Sequence, residues 1–255
     1  TLKPAGSAGS VILSPLNGNY STTAPGSTSG DAMIRLEGTQ YVTVDGLHLI
    51  ENTNNMTTRT KFNMGVLMRN SVYPVVGVAT FKGARFNTVK NVLIDLNATA
   101  NVANVGAIGI RLGTQGTNTT DTLGANSYNT IQNVIIEDFW RAAVQMYGFQ
   151  GILNPDRGNR IIGVDGYCEF RNVNITTGAS NDVRTIEMNA EFNPVIENVK
   201  ITNIKSSVNT TNSVYGIRLN PANSTTDHIS GNIVIRNVQI DGVWNEGRNH
   251  YRSRC

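Results

Sequence analysis

The sequence predicts an all-β solenoid, in which short strands stack turn upon turn along one axis. Two recurring strand motifs and the composition of the segments between them lead to this reading. The first motif is Asn129-Thr-Ile-Gln-Asn133-Val-Ile-Ile136. It recurs as Asn87-Thr-Val-Lys-Asn91-Val-Leu-Ile94, as Val195-Ile-Glu-Asn198-Val-Lys-Ile201 and as Val234-Ile-Arg-Asn237-Val-Gln-Ile240, and more loosely as Phe170-Arg-Asn172-Val-Asn-Ile175. An earlier relative, Val42-Thr-Val-Asp45-Gly-Leu-His-Leu49, carries Asp where the others carry Asn. Asn91 to Asn133 is 42 residues, Asn133 to Asn172 is 39, Asn172 to Asn198 is 26 and Asn198 to Asn237 is 39. Self-similarity at periods of this size marks stacked repeats.

Each key Asn is followed by apolar, variable, apolar residues: Val92 and Ile94, Val134 and Ile136, Val173 and Ile175, Val199 and Ile201, Val238 and Ile240. That is period 2, a strand with one buried face. Asn tolerates positive φ and its amide bonds to backbone, so Asn91, Asn133, Asn172, Asn198 and Asn237 are expected to form a structural ladder at a tight bend. The second motif reads Met33-Ile-Arg-Leu36, Gly65-Val-Leu-Met68, Gly109-Ile-Arg-Leu112, Ala143-Val-Gln-Met146, Thr185-Ile-Glu-Met188 and Gly216-Ile-Arg-Leu219. One strand of each kind, joined by loops of uneven length, makes one turn of the solenoid.

Taken in order, residues 1–31 hold one strand-like piece, Ser10-Val-Ile-Leu-Ser14, and read as a partial first coil. The first full coil begins at Ala32, and residues 51–59 form a polar loop. Residues 72–85 break the pattern and predict a loop or short hairpin on the flank; residues 113–127 are a Gly/Thr/Asn excursion. Glu137-Asp-Phe-Trp-Arg141 links the two motifs in a few residues, and 148–158 is a turn by its Asn-Pro-Asp chemistry. Short loops follow at 177–180, 206–212 and 221–228, and residues 244–255 read as an irregular tail. Neither end carries a recognisable cap, which repeat stacks need. The expectation is one domain over 1–255, a segment of a longer protein or one whose ends are covered by other copies.

These motifs resemble the right-handed parallel β-helix superfamily, the fold of pectate lyases that also occurs in secreted bacterial surface proteins and phage tailspikes. The resemblance covers residues 32–243 and implies a fold, not an activity, because that superfamily holds enzymes and non-enzymes alike.

Charged residues are 15% of the 255, the net charge is +3, and Lys and Arg are scattered, which argues against nucleic acid as a partner. No apolar run approaches membrane-spanning length. Cys168 and Cys255 provide neither a disulfide framework nor metal spacing, and Cys168 reads as a small buried hydrophobe. Seven Asn-x-Ser/Thr triplets begin at Asn19, Asn55, Asn97, Asn118, Asn174, Asn209 and Asn223. They read either as glycan acceptors or as chance products of an Asn/Thr-rich chain.

Stacking places the middle residues of the second motif in a row: Arg111, Gln145, Glu187 and Arg218, with Arg35 further along. Such polar forks suit an extended glycan, with Trp140 and Tyr147 offering apolar faces. The same row also reads as a solvated surface pairing across turns, Arg218 with Glu187. The resemblance brings two enzymatic patterns for comparison. The pectate-lyase type implies clustered Asp/Glu around calcium beside a basic residue. The polygalacturonase type implies three close Asp with Gly-His-Gly. His48, His228 and His250 lie in no such motif; Glu137 and Asp138 are adjacent and would face opposite ways; Asp95, Asp121 and Asp165 look isolated. No catalytic residue or cofactor is therefore assigned, with calcium the ion the resemblance would bring. The preferred expectation is a secreted or cell-surface, non-catalytic structural or adhesive protein, a surface or filament component able to bind carbohydrate. Its partners would be other copies or flanking regions. The alternatives are a polysaccharide lyase or glycoside hydrolase acting on an acidic glycan, and a tailspike-like receptor-binding segment.

Overall fold

The computed structural model describes residues 1–2, 12–13, 31–52, 62–75, 78–97, 108–113, 122–148, 155–175, 182–207, 213–219 and 231–245. Within them the chain is almost entirely β, and nearly all strand pairs are parallel. The second motif builds a six-stranded parallel sheet in chain order: Ala32–Glu37, Met64–Arg69, Ile108–Gly113, Ala142–Tyr147, Val183–Asn189 and Val214–Leu219. The first motif builds an eleven-stranded sheet with two wings. One wing holds Thr43–Asp45, Thr88–Lys90, Thr130–Gln132 and Arg160–Ile162; the other holds Ile12–Leu13, His48–Ile50, Leu93–Asp95, Ile135–Glu137 and Cys168–Ile175. Val195–Ser206 and Val234–Asn245 run through both wings and join them.

The core lies between the two sheets. Val89, Ile131, Ile161 and Ile196 enter from one wing, Ile94, Ile136, Phe170 and Ile201 from the other, and Val66, Ile110, Val144 and Ile186 from the six-stranded sheet. Each is fully buried, and such side chains contribute roughly 1.5–3 kcal/mol apiece. Glycine is required where the strands pass close together. A Cβ on Gly109 would lie 2.5 Å from both the Ala143 carbonyl oxygen and Ile136 Cγ2.

The bends are columns of positive φ. Asn91, Asn133, Asn198 and Asn237 have φ of 53°, 49°, 53° and 49°. Their amides link the rungs: Asn133 Nδ2 donates to Asn91 Oδ1 at 3.5 Å, and Asn237 Nδ2 to Asn198 Oδ1 at 2.6 Å. Two details differ from the sequence reading. Asp45 pairs with Lys90, so the counterpart of Asn91 in the first rung is Gly46 (φ 70°), while Asp45 Oδ1 accepts from Asn91 Nδ2 at 2.8 Å. Asn172 does not belong to this column. The pairing of Gln132 with Ile162 and of Ile162 with Glu197 puts Gly163 there, accepting from Asn198 Nδ2 through its carbonyl. Asn172 (φ 60°) stands at the next bend, in register with Asp138, Asn203 and Gly242. Four additional residues, 164–167, separate Gly163 from the following strand and hide this rung from the repeat.

A second ladder, buried, runs through Asn87, Asn129 and Asn159. Asn129 Oδ1 accepts the Asn87 backbone N–H at 3.0 Å, and Asn159 Oδ1 accepts that of Asn129 at 2.9 Å. Residues 71–82 form an antiparallel hairpin, Ser71–Val75 with Val78–Lys82, as the broken pattern suggests. Trp244 and Asn245 are strand rather than tail; the rest of the expected tail lies outside the described residues, as do Cys255, most of residues 1–31, His228, His250, Asp121 and the triplets at Asn19, Asn55, Asn118, Asn209 and Asn223. Cys168 is buried, donates to the Ile162 carbonyl, and has its thiol pushed up to about 11 by burial.

Candidate functional site

The middle residues of the six-stranded sheet fall in one row, as expected. Arg35 pairs with Leu67, Leu67 with Arg111, Arg111 with Gln145, Gln145 with Glu187, and Glu187 with Arg218. Parallel strands in register put such residues about 4.8 Å apart. The row is not a solvated face, however: Leu67, Arg111, Gln145 and Glu187 are all buried, and only its ends reach solvent. At one end Leu67 joins Met64, Ile108 and Ala142 in a small apolar cluster separate from the main core.

The polar half is an ion-pair network centred on Glu187. Gln145 Nε2 donates to Glu187 Oε2 at 2.8 Å, Arg184 pairs with Oε1, and Arg218 Nη1 lies 3.9 Å from Oε1. Asp182 Oδ2 receives Arg184 and Arg218, each at 3.2 Å. The Tyr147 hydroxyl is held above its ordinary range by burial and by the nearby negative charge of Glu187. Arg111 lies with its guanidinium carbon 5.9 Å from the centre of the Tyr147 ring. Burial, and next the positive charge of Arg141, bring its pKa down to about 10. Closing such a network in a low-dielectric setting fixes side-chain geometry more than it adds stability. Trp140 is corrected: with Phe139 it lies in the main core, so its ring is not a platform for sugar.

Two carboxylate groups escape the sequence reading. Asp95 is not isolated, because it pairs in register with Glu137 on the next rung. Beside them Asp138 is half-buried, and burial first, then Asp95 and Glu137, raise its pKa to about 6. The second group is internal. Asp156 and Glu191 are register partners on adjacent rungs and are fully buried. Asp156 Oδ1 accepts the Asn126 N–H at 2.8 Å and Glu191 Oε2 accepts from Asn159 Nδ2 at 3.0 Å, while Asp156 Oδ2 and Glu191 Oε1 have no hydrogen-bond donor. Burial holds both well above the carboxylate range, and for Glu191 the Asp156 charge adds to it. Among the described residues no three His, Cys, Asp or Glu are grouped to hold a metal ion, and no helix is long and apolar enough to cross a membrane.

No family model and no curated protein sequence matches the chain. Among solved structures it is similar to an inferred glycosyl hydrolase from Parabacteroides merdae, with a TM-score of 0.30 and 13% identity over 83% of this chain and 77% of that one. It is also similar to the enzymatically active domain of tailspike protein 2 of bacteriophage CBA120, with a TM-score of 0.28 and 11% identity. That match covers 82% of this chain and 36% of the tailspike chain.

Proposed function

We propose that the chain is a single right-handed parallel β-helix domain acting as a structural, adhesive component of a secreted or cell-surface assembly, and that a second copy covers its last rung. One observation carries this reading. Ile240 is 49% exposed, whereas Ile201, its partner one rung inward, is 0% exposed. Ile235 and Leu219 are exposed in the same way, although their partners Ile196 and Met188 are core. Among the described residues, the last rung thus offers a parallel strand edge with apolar side chains already in register for another rung. Among the described residues, the opposite end of the sheet is formed by Leu2 and Ile12–Leu13. Joining unlike ends is a heterologous contact, which builds filaments unless it closes.

Sedimentation at rising protein concentration tests the reading, with Ile240→Lys as control. Head-to-tail growth lost in the variant is the expected outcome. A monomer at every concentration refutes it, and a discrete trimer points to tailspike-like architecture instead.

A second reading, a hydrolase or lyase acting on an acidic glycan, is favoured by Asp138. A carboxyl titrating at about 6 beside two other carboxylates suits a proton donor near neutral pH. Turnover on a panel of polysaccharides, with and without calcium, abolished by Asp138→Asn, is what this reading requires.

A further inference from the structure

Two residues before each strand of the first wing, the chain turns through positive φ. In three rungs the residue there is Gly158, Asn193 or Asn232, types that tolerate this conformation. In the first three it is Tyr41, Phe86 and Tyr128, with φ of 59°, 57° and 60°. Bulky residues held there mark a constraint worth a functional question.

Their rings leave the corner side by side and stack. Tyr41 and Phe86 are 5.1 Å apart between centroids and 5° from parallel; Phe86 and Tyr128 are 5.2 Å apart and 6° from parallel. Carbon atoms touch at roughly 3.5–4.0 Å, so rings in contact at this centroid spacing overlap like tiles and leave a band of each face open. All three are exposed, Tyr41 by 73%. The stack ends on backbone at Gly158, where a Cβ would stand 2.7 Å from Tyr128 Cδ1.

Cations flank this strip. The Arg85 guanidinium carbon lies 5.3 Å from the Phe86 ring centre and 5.8 Å from that of Tyr128, and Arg157 lies 5.2 Å from the Phe192 ring centre. Arg69, Lys90, Arg171, Arg184, Arg218 and Arg236 all have carboxylate partners. Arg85 and Arg157 have none among the described residues, and the Arg85 Nε–H is buried without an acceptor. Unneutralised guanidinium groups beside open aromatic faces call for a ligand that is flat, apolar on its faces and anionic at its edges.

We propose that Tyr41, Phe86, Tyr128, Arg85 and Arg157 form a binding strip for an anionic polysaccharide lying along the stacking axis. Sugar rings rest on the tiled aromatic faces, and their acidic groups reach the guanidinium groups. This site is separate from the Glu187 network and from the Asp138 carboxylates, and it does not depend on end-to-end assembly.

Calorimetric titration of the full chain tests it, using a polygalacturonate oligomer, a neutral cellulose oligomer and an oligo-dT strand as probes. The polygalacturonate oligomer should bind, with affinity falling as salt rises. Tyr41→Asn and Tyr128→Asn keep a residue suited to the bend and should each weaken binding about tenfold. Arg85→Gln, which leaves the bend untouched, should weaken it and flatten its salt dependence. No polygalacturonate binding, equal binding by all variants, or preference for the neutral or nucleic-acid probe would each overturn the assignment. A variant that fails to fold leaves Arg85→Gln to decide.

Discussion

Replacing Glu191 with glutamine isolates the energetics of the buried acid pair. Both carboxyls are held well above their unfolded range, about 3.9 for Asp and 4.3 for Glu. Above that range the unfolded chain has released protons that the folded chain still holds. Stability therefore falls as pH rises, by about 1.4 kcal/mol per pH unit for each retained proton, until the folded carboxyl itself ionises. Against a typical total of roughly 5–15 kcal/mol, each pH unit over which the proton is retained is a sizeable loss. The glutamine amide keeps the acceptor for Asn159 and has no proton to release, so the variant lacks the Glu191 titration. Urea unfolding at pH 5, 6, 7 and 8 measures the difference between variant and parent. With a denaturant slope near 3 kcal/mol/M, their midpoints should diverge by about 0.5 M per pH unit in favour of Glu191→Gln for as long as the folded Glu191 carboxyl keeps its proton. Asp138 titrates in the same window in both proteins and cancels from that difference. Parallel pH curves would refute a proton retained on Glu191.

Three further outcomes follow from the same geometry. Asn129→Leu should destabilise by about 2–5 kcal/mol in thermal unfolding, since it strips acceptors from the Asn87 N–H and donors from Ala84 and Asn159. Asn133→Gly should be near neutral while Asn133→Val loses about 1–2 kcal/mol in the same assay, because the position needs φ of 49°. Gly109→Ala should cost about 1–3 kcal/mol from overpacking against Ile136 and the Ala143 carbonyl, read as a lowered urea midpoint.

The rungs are legible because backbone pairing repeats at fixed offsets from each strand. Asn91, Asn133, Asn198 and Asn237 share a bend for that reason, and the row from Arg111 to Arg218 is in register for the same one. Asn172 misleads because positive φ recurs at more than one bend per rung, and Gly163 carries no amide to reveal its membership. The burial of Arg111, Gln145 and Glu187 is not legible, since the alternation along a strand places them outward and says nothing of what packs against that face. Trp140 follows the same logic in reverse, its aromatic character being equally suited to core and surface. The aromatic strip is readable in principle. Tyr41-Val-Thr-Val, Phe86-Asn-Thr-Val and Tyr128-Asn-Thr-Ile align once the rungs are superposed, two residues ahead of the strand. The meeting of Asp156 with Glu191 is not, because only the pairing of two short strands brings them together.

Successive rungs are bridged by bonds between residues as few as 29 and as many as 48 positions apart, yet the pairing they support is the same. The interval between contacts is thus free to vary while the contacts are not. Among the described residues, the parallel strands of one rung pair with those of the rungs beside it. A gene duplication that inserts one whole repeat would then preserve every existing interface and add one of the same kind. Length becomes a property that heredity can change in discrete steps, leaving the Asn columns, the core and the aromatic corner each to be extended or ended independently.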